Sequence, residues 1–269
     1  MDLDITAVRA KLIRSQENAQ NVRNEILAYS QRYPYSLIDK VNPDSTRYSL
    51  ILRINEPAPF QRWTLIFADA VNNLRTALDY LVYAVAVCES RKSPPPHELR
   101  LRFPLTDSED AFDEEVRTRR LGDLSNTTVS KIKSLQPYNR PHDKLPPLLG
   151  VLRDLNNTDK HRLLRLTFGA MMQANIGFVG EVPQDGRQWK VIPNPGEIED
   201  GTEIMAMVCD RSSPDMKFDR KIVDVSVAVW HAKRDPAGAA DTARTDLLAL
   251  YSALATEVRT VIYEISKII

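Results

Sequence analysis

The chain has 269 residues, 43% hydrophobic and 27% charged, enough to bury a substantial core as one domain, 1–269, or as one domain with a large insertion. Its 36 basic and 36 acidic side chains cancel, so no global field steers it toward nucleic acid or an anionic membrane, and any polyanion contact must be local. No apolar run reaches membrane-spanning length and the start, Met1-Asp2-Leu3-Asp4, carries acids where a secretory leader needs basic residues, so a cytoplasmic protein with no membrane partner is expected.

Residues 4–30 place Ile5, Val8, Leu12, Val22, Ile26 and Tyr29 at helical spacing, which predicts a long first helix ended by Pro34. Tyr48, Leu50, Leu52 and Ile54 alternate with polar neighbours and predict a half-buried strand closed by Pro57 and Pro59. From Gln61 to Glu89 the stripe Trp63, Phe67, Ala70, Leu74, Leu78, Leu81 and Val85 predicts the most apolar helix of the chain. Ser93-Pro94-Pro95-Pro96 must leave that helix, and Arg102-Phe103-Pro104-Leu105 reads as extended. Thr106 or Asp107 caps a short helix through Glu115, and Ser125 or Asn126 caps another through Leu135. Pro146 and Pro147 suit the first turn of a helix running to about Leu166.

Beyond this point the period changes from helical to two-residue. Phe168–Val182, Glu203–Cys209 and Lys221–Trp230 read as strands, the last through the alternation of Val223, Val225, Val227 and Val229. Gly186, Pro193-Asn194-Pro195-Gly196 and Asp200-Gly201 supply turns. Asp241–Ile269 is helical again, with Leu247, Leu248, Tyr251, Leu254, Val258, Val261, Ile262 and Ile265 on one face. Cys88 and Cys209 have neither disulfide-framework nor zinc spacing and read as buried thiols.

Two of these apolar helices carry polar ladders. Residues three and four apart share a helix face, so Arg153, Asn157 and His161 align, with Asn156, Asp159 and Lys160 beside them. Asn72, Arg75 and Asp79 make a similar ladder in the earlier helix. An isolated buried charge costs several kcal/mol, so Arg75 and Asp79 need partners, and those partners can be each other or Asp159. One reading is a satisfied structural network. The other is a site in which His161 exchanges protons, Arg75, Arg153 or Arg162 supply fixed positive charge, and Asn157 orients, an arrangement suited to metal-free RNA cleavage by the 2′-hydroxyl.

The run Asn73-Leu74-Arg75-Thr76-Ala77-Leu78-Asp79-Tyr80 and the run from Leu152 through Arg162 resemble a loosely defined set of bacterial proteins with Asn-Leu-Arg-x-Ala-Leu-Asp-His/Tyr in one helix and Leu-x-x-Leu-x-Asn-x-x-Lys-His-Arg in a later one. The layout is similar over most of the chain. Through the first pattern it also resembles, more distantly, the HEPN superfamily of helical bundles, many of which are ribonucleases of toxin and phage-defence systems that pair an arginine with a histidine, often across a dimer. Here Tyr80 stands where that pattern has histidine, and Arg153 and His161 are separated by seven residues. The resemblance implies that His161 replaces the missing histidine from a different helix, beside Arg75 and Arg153.

His97 and His142 lie in proline-rich loops and His231 ends a strand, so each reads as a solvated or capping side chain. There is no glycine-rich phosphate loop, nucleophile elbow or paired-histidine metal motif, and no metal or cofactor is expected. Arg117-Thr118-Arg119-Arg120 with Lys131 and Lys133 forms a modest basic patch, of the kind that is usually a solvated face and less often an RNA contact. The expectation is therefore an α+β protein: a HEPN-like bundle from about 4–30, 61–89, 146–166 and 241–269 with a small, mostly antiparallel β-sheet insertion at about 167–232. Its function is either metal-independent RNA cleavage by His161, Arg75 and Arg153, with Asn72, Asp79, Tyr80, Asn157, Asp159, Lys160 and Arg162 binding or orienting, or a non-catalytic binding or assembly role for the same cluster. By the resemblance, RNA and a second copy of the chain are the implied partners.

Overall fold

Val8, Ser15, Ala19, Val22 and Tyr29 form the buried edge of the first helix, α1 (Thr6–Ser30). The computed structural model describes residues 2–139, 147–179, 188–193, 198–212, 217–234 and 240–269; His142, Pro146, Gly186, Asn194, Pro195 and Gly196 lie outside them. A hairpin follows α1, formed by β1 (Tyr35–Val41) and β2 (Arg47–Ile54) with Tyr35 opposite Ile54 and Val41 opposite Tyr48. Its turn is held by Asn42, whose Oδ1 accepts the N–H groups of Thr46 and Arg47, each at 2.8 Å. Only β2 shows in the hydrophobic pattern, because most of β1 is exposed and its side chains need no alternation.

Helix α2 (Phe60–Ser90) follows, with all seven residues of the predicted stripe buried. Two short helices come next, each capped by a serine hydroxyl that accepts an orphan N–H of the first turn. Ser108 caps α3 (Glu109–Arg117) through the N–H of Ala111, and Ser125 caps α4 (Asn126–Ser134) through that of Thr128. Helix α5 (Leu148–His161) is shorter than the apolar pattern predicts. Arg162 turns extended, and Leu164 is buried with its carbonyl accepting from Thr64 Oγ1 at 3.4 Å. The final helix, α6 (Leu247–Ser266), starts six residues later than predicted because Asp246 is its cap, accepting the N–H of Ala249 at 2.8 Å.

The remaining strands are β3 (Leu166–Val179), β4 (Trp189–Pro193), β5 (Glu203–Cys209), β6 (Lys217–Arg234) and β7 (Ala240–Asp246). One sheet has the order β1-β2-β5-β4, antiparallel throughout, and a second the order β3-β6-β7. His231 therefore lies within a strand and does not end one. The architecture is α+β as expected, with six helices among the described residues.

The chain divides into two compact units. One is formed by Met1–Arg23, Gln61–Arg165 and Trp230–Ile269, the other by Asn24–Phe60 and Leu166–Val229. The second unit is not the 167–232 insertion alone, because the N-terminal hairpin supplies β2 as the neighbour of β5, with Tyr48 opposite Met207. Its core includes Tyr48, Leu50, Leu52, Ile204, Ala206 and Met207. Within the helical unit, Ser15 Oγ donates to the carbonyl of Ala70 at 2.8 Å and lies 3.1 Å from the Tyr251 hydroxyl, joining α1, α2 and α6. Among the described residues no helix is long and apolar enough to cross a membrane.

Candidate functional site

The stretch Phe103 to Thr106 is extended, buried and outside any sheet. A buried backbone must have its N–H and C=O groups bonded, and without a ladder those bonds have to come from side chains. Arg75 and Asp79, one turn apart on α2, supply them. Asp79 Oδ1 accepts the N–H of Phe103 at 2.8 Å, Arg75 Nη2 donates to the Phe103 carbonyl at 2.7 Å, and Arg75 Nη1 joins Asp79 Oδ1 at 2.8 Å. Both polar groups of one fully buried peptide residue are thus closed by one ion pair.

Arg153 on α5 holds the same segment two residues further on. Its Nη1 donates to the Leu105 carbonyl at 3.2 Å and lies 2.9 Å from Asp107, while Asp154 takes its Nε at 2.9 Å. Gln136 completes the series by accepting from the N–H of Thr106 at 3.1 Å and from its hydroxyl at 3.2 Å.

Burial dominates the electrostatics of this clamp. It pushes the Asp79 carboxyl up, against the pull of Arg75 and the Phe103 N–H, and pulls the Arg75 guanidinium down, against Asp79. At Arg153 burial also acts downward, but Asp154 and Asp107 outweigh it and the guanidinium pKa is raised.

His161 lies elsewhere. It is exposed at the last position of α5, where the chain is tied to the early part of α2. Burial and then Asp69 raise the Asp159 carboxyl, so the charge acting on Asp159 comes six residues before Arg75. The Leu164 carbonyl meets Thr64, eleven residues before Arg75. At 1.5 Å per residue these anchors lie roughly 9 and 16 Å along α2 from Arg75. The structure does not bring the predicted pair Arg75 and His161 together, and Arg153 stays with Leu105.

The other predicted residues scatter. Asn72, Asn157, Lys160 and Arg162 are exposed, and Asp159 is half-buried. Asn156 is the buried amide of its helix. Tyr80 is exposed and has Lys11 Nζ 5.6 Å from its ring centroid. The basic patch is largely neutralised: Arg119 pairs with Asp123 at 2.9 Å, Lys131 with Glu264 at 2.6 Å, and Lys133 with Glu109 and Asp113 at 2.8 and 2.9 Å. Arg117 pairs with Glu114, and His97 meets Asp123 at 3.5 Å.

A recess that the ladders do not reveal lies beside Asp79. It has a volume of about 740 Å³, is walled by Ala7, Val8, Ala84, Val87 and Leu101, and is lined at its polar positions by Asp2, Asp4, Asp79, Tyr80, Tyr83 and Ser93. Asp4 caps the start of α1 by accepting the Thr6 N–H at 2.9 Å, and bonds from Thr6 hold its carboxyl below the usual range. The signal for this site is weak in the sequence, because its two walls come from segments some eighty residues apart. Among the described residues no group of three or more His, Cys, Asp and Glu side chains is placed to hold a metal ion. In comparisons with known proteins, the chain matches no family model, no curated protein and no solved structure.

Proposed function

We propose that this protein is a non-catalytic, cytoplasmic binding protein, with the Arg75–Asp79 pair as a structural pin and the recess between α1 and α2 as the binding site for a small molecule. The observation that carries this reading is the closure of both Phe103 backbone groups by Arg75 and Asp79, which leaves Arg75 engaged with the main chain and not with the imidazole it would need for phosphate chemistry. A volume of about 740 Å³ falls in the usual range of small-molecule sites, and the mixture of an apolar wall with a few polar groups is what such sites need.

The ribonuclease reading retains one favourable observation. Lys160, His161 and Arg162 are consecutive and exposed, so RNA could reach the imidazole. Incubation of wild type and His161→Ala with mixed RNA in the presence of a chelator decides between the readings. The binding role predicts no turnover from either; cleavage by wild type that the mutant loses would restore catalysis. Titration of the protein with a fragment mixture should shift the methyl resonances of Val8 and Val87, which wall the recess, and not those of core valines elsewhere.

A further inference from the structure

We infer that the recess between α1 and α2 takes a small organic ammonium ion with an apolar body. This rests on the reading of the recess as a binding site and adds the chemical class of its ligand. Three features of the lining act together. The floor of Val8, Ala84, Val87 and Leu101 gains by covering hydrocarbon, so an inorganic cation would leave that surface unused. Two tyrosines one turn apart on α2, Tyr80 and Tyr83, line the recess and are 41% and 38% exposed, and an aromatic ring attracts a cation to its negative face. The charged residues of the lining itself are all acidic, Asp2, Asp4 and Asp79, and the cations nearest to them are Arg75, bonded to Asp79, and Lys11, over the Tyr80 ring.

The molecule already contains one instance of the same recognition. Lys11, one helical turn beyond Ala7 on α1, holds its ammonium 5.6 Å from the Tyr80 ring centroid, within the range over which a cation is attracted to an aromatic face. Asp79 is balanced by Arg75 and Lys11 offsets one of the two remaining carboxylates, so Asp2 and Asp4 still leave the lining net negative, and neutral or anionic ligands of the same shape gain nothing from that charge. An ammonium ion of aromatic or branched alkyl type satisfies floor, rings and carboxylates at once.

The test uses three probes of similar size on the full chain: benzyltrimethylammonium, benzyl alcohol and benzoate, followed by methyl NMR and calorimetry. The ammonium should bind about tenfold or more tightly than the alcohol, a difference equivalent to 1.4 kcal/mol, with benzoate weakest. Tyr83→Leu and Asp4→Asn should each weaken the ammonium about 3- to 10-fold while leaving the urea midpoint in place, since leucine keeps the hydrocarbon and asparagine keeps the α1 cap. Equal binding of ammonium and alcohol at the Val8 and Val87 methyls would overturn the ligand class and leave the binding role intact. Ammonium binding unaffected by either variant would also overturn it, because the site would then lie elsewhere. No binding of any probe up to millimolar concentration would remove both the ligand class and the small-molecule reading.

Discussion

Replacing Asp79 by alanine is the sharpest test of the clamp. The substitution removes the acceptor of the Phe103 N–H, in a residue that is 0% exposed, and the carboxylate of Arg75, whose side chain is 14% exposed. An orphaned buried N–H costs about 1–3 kcal/mol, and breaking a buried ion pair from one side about 3–5 kcal/mol. Two facts move the total toward the lower ends. Arg75 keeps the Phe103 carbonyl, and Asp79 is one-third exposed, so water can enter where the carboxylate stood. We expect a loss of about 2–4 kcal/mol.

Because burial raises the Asp79 carboxyl, its ionised form is not itself a gain; the loss arises from the partners it leaves behind. The double variant Arg75→Met/Asp79→Leu should therefore lose at least 1 kcal/mol less than the sum of its two single variants, an order-of-magnitude coupling for groups in one network. Urea unfolding at neutral pH reads this directly, as a shift of midpoint at constant slope. A loss below about 0.5 kcal/mol for Asp79→Ala, or strict additivity of the pair, would show that Phe103 does not depend on this clamp.

Three further outcomes are expected. Gly122 has φ +60° and an added Cβ would meet Leu101 Cδ2 at 2.8 Å, so Gly122→Ala should lower stability by about 1–2 kcal/mol in the same unfolding assay. Tyr29, buried and donating to the Glu56 carbonyl at 2.6 Å, has its phenol pushed up to about 12 by burial and then by Glu56. The folded state therefore holds this proton more tightly than the unfolded state, whose value is near 10, so the stability it contributes is complete below pH 10 and is lost as pH rises through about 10–12. Tyr29→Phe should flatten that part of a pH-dependent denaturation profile. Ser125→Ala removes both the α4 cap and a hydroxyl that donates to Glu89 at 2.9 Å, and should lower the urea-derived stability by about 1 kcal/mol.

The long elements were legible in the sequence because their patterns repeat: the stripe of α2, and β5 at Glu203–Cys209, follow from spacing alone. Strands without an inward face were not, as β1 shows. The start of α6 is not legible either: Ala240–Asp246 is a strand without an apolar alternation to mark it, and the helix begins only after the Asp246 cap. The polar residues on α2 and α5 were found by their chemistry, but their destination was not. Whether Arg75 meets an imidazole or a peptide depends on the route of the chain near Phe103, and neither helix pattern encodes that route. Arg102-Phe103-Pro104-Leu105 reads as extended from its sequence, and a buried extended stretch without a strand beside it claims nearby donors and acceptors.

That demand gives a criterion for interpreting charged motifs in other helical proteins. An arginine and an aspartate one turn apart on an oily helix have the appearance of reactive machinery, yet a lone ribbon of main chain downstream creates the same requirement. Before such a pair is assigned to chemistry, the amide groups of any unladdered interior segment should be matched to their acceptors and donors. In this protein the answer lies 24 and 28 residues away, at a single phenylalanine.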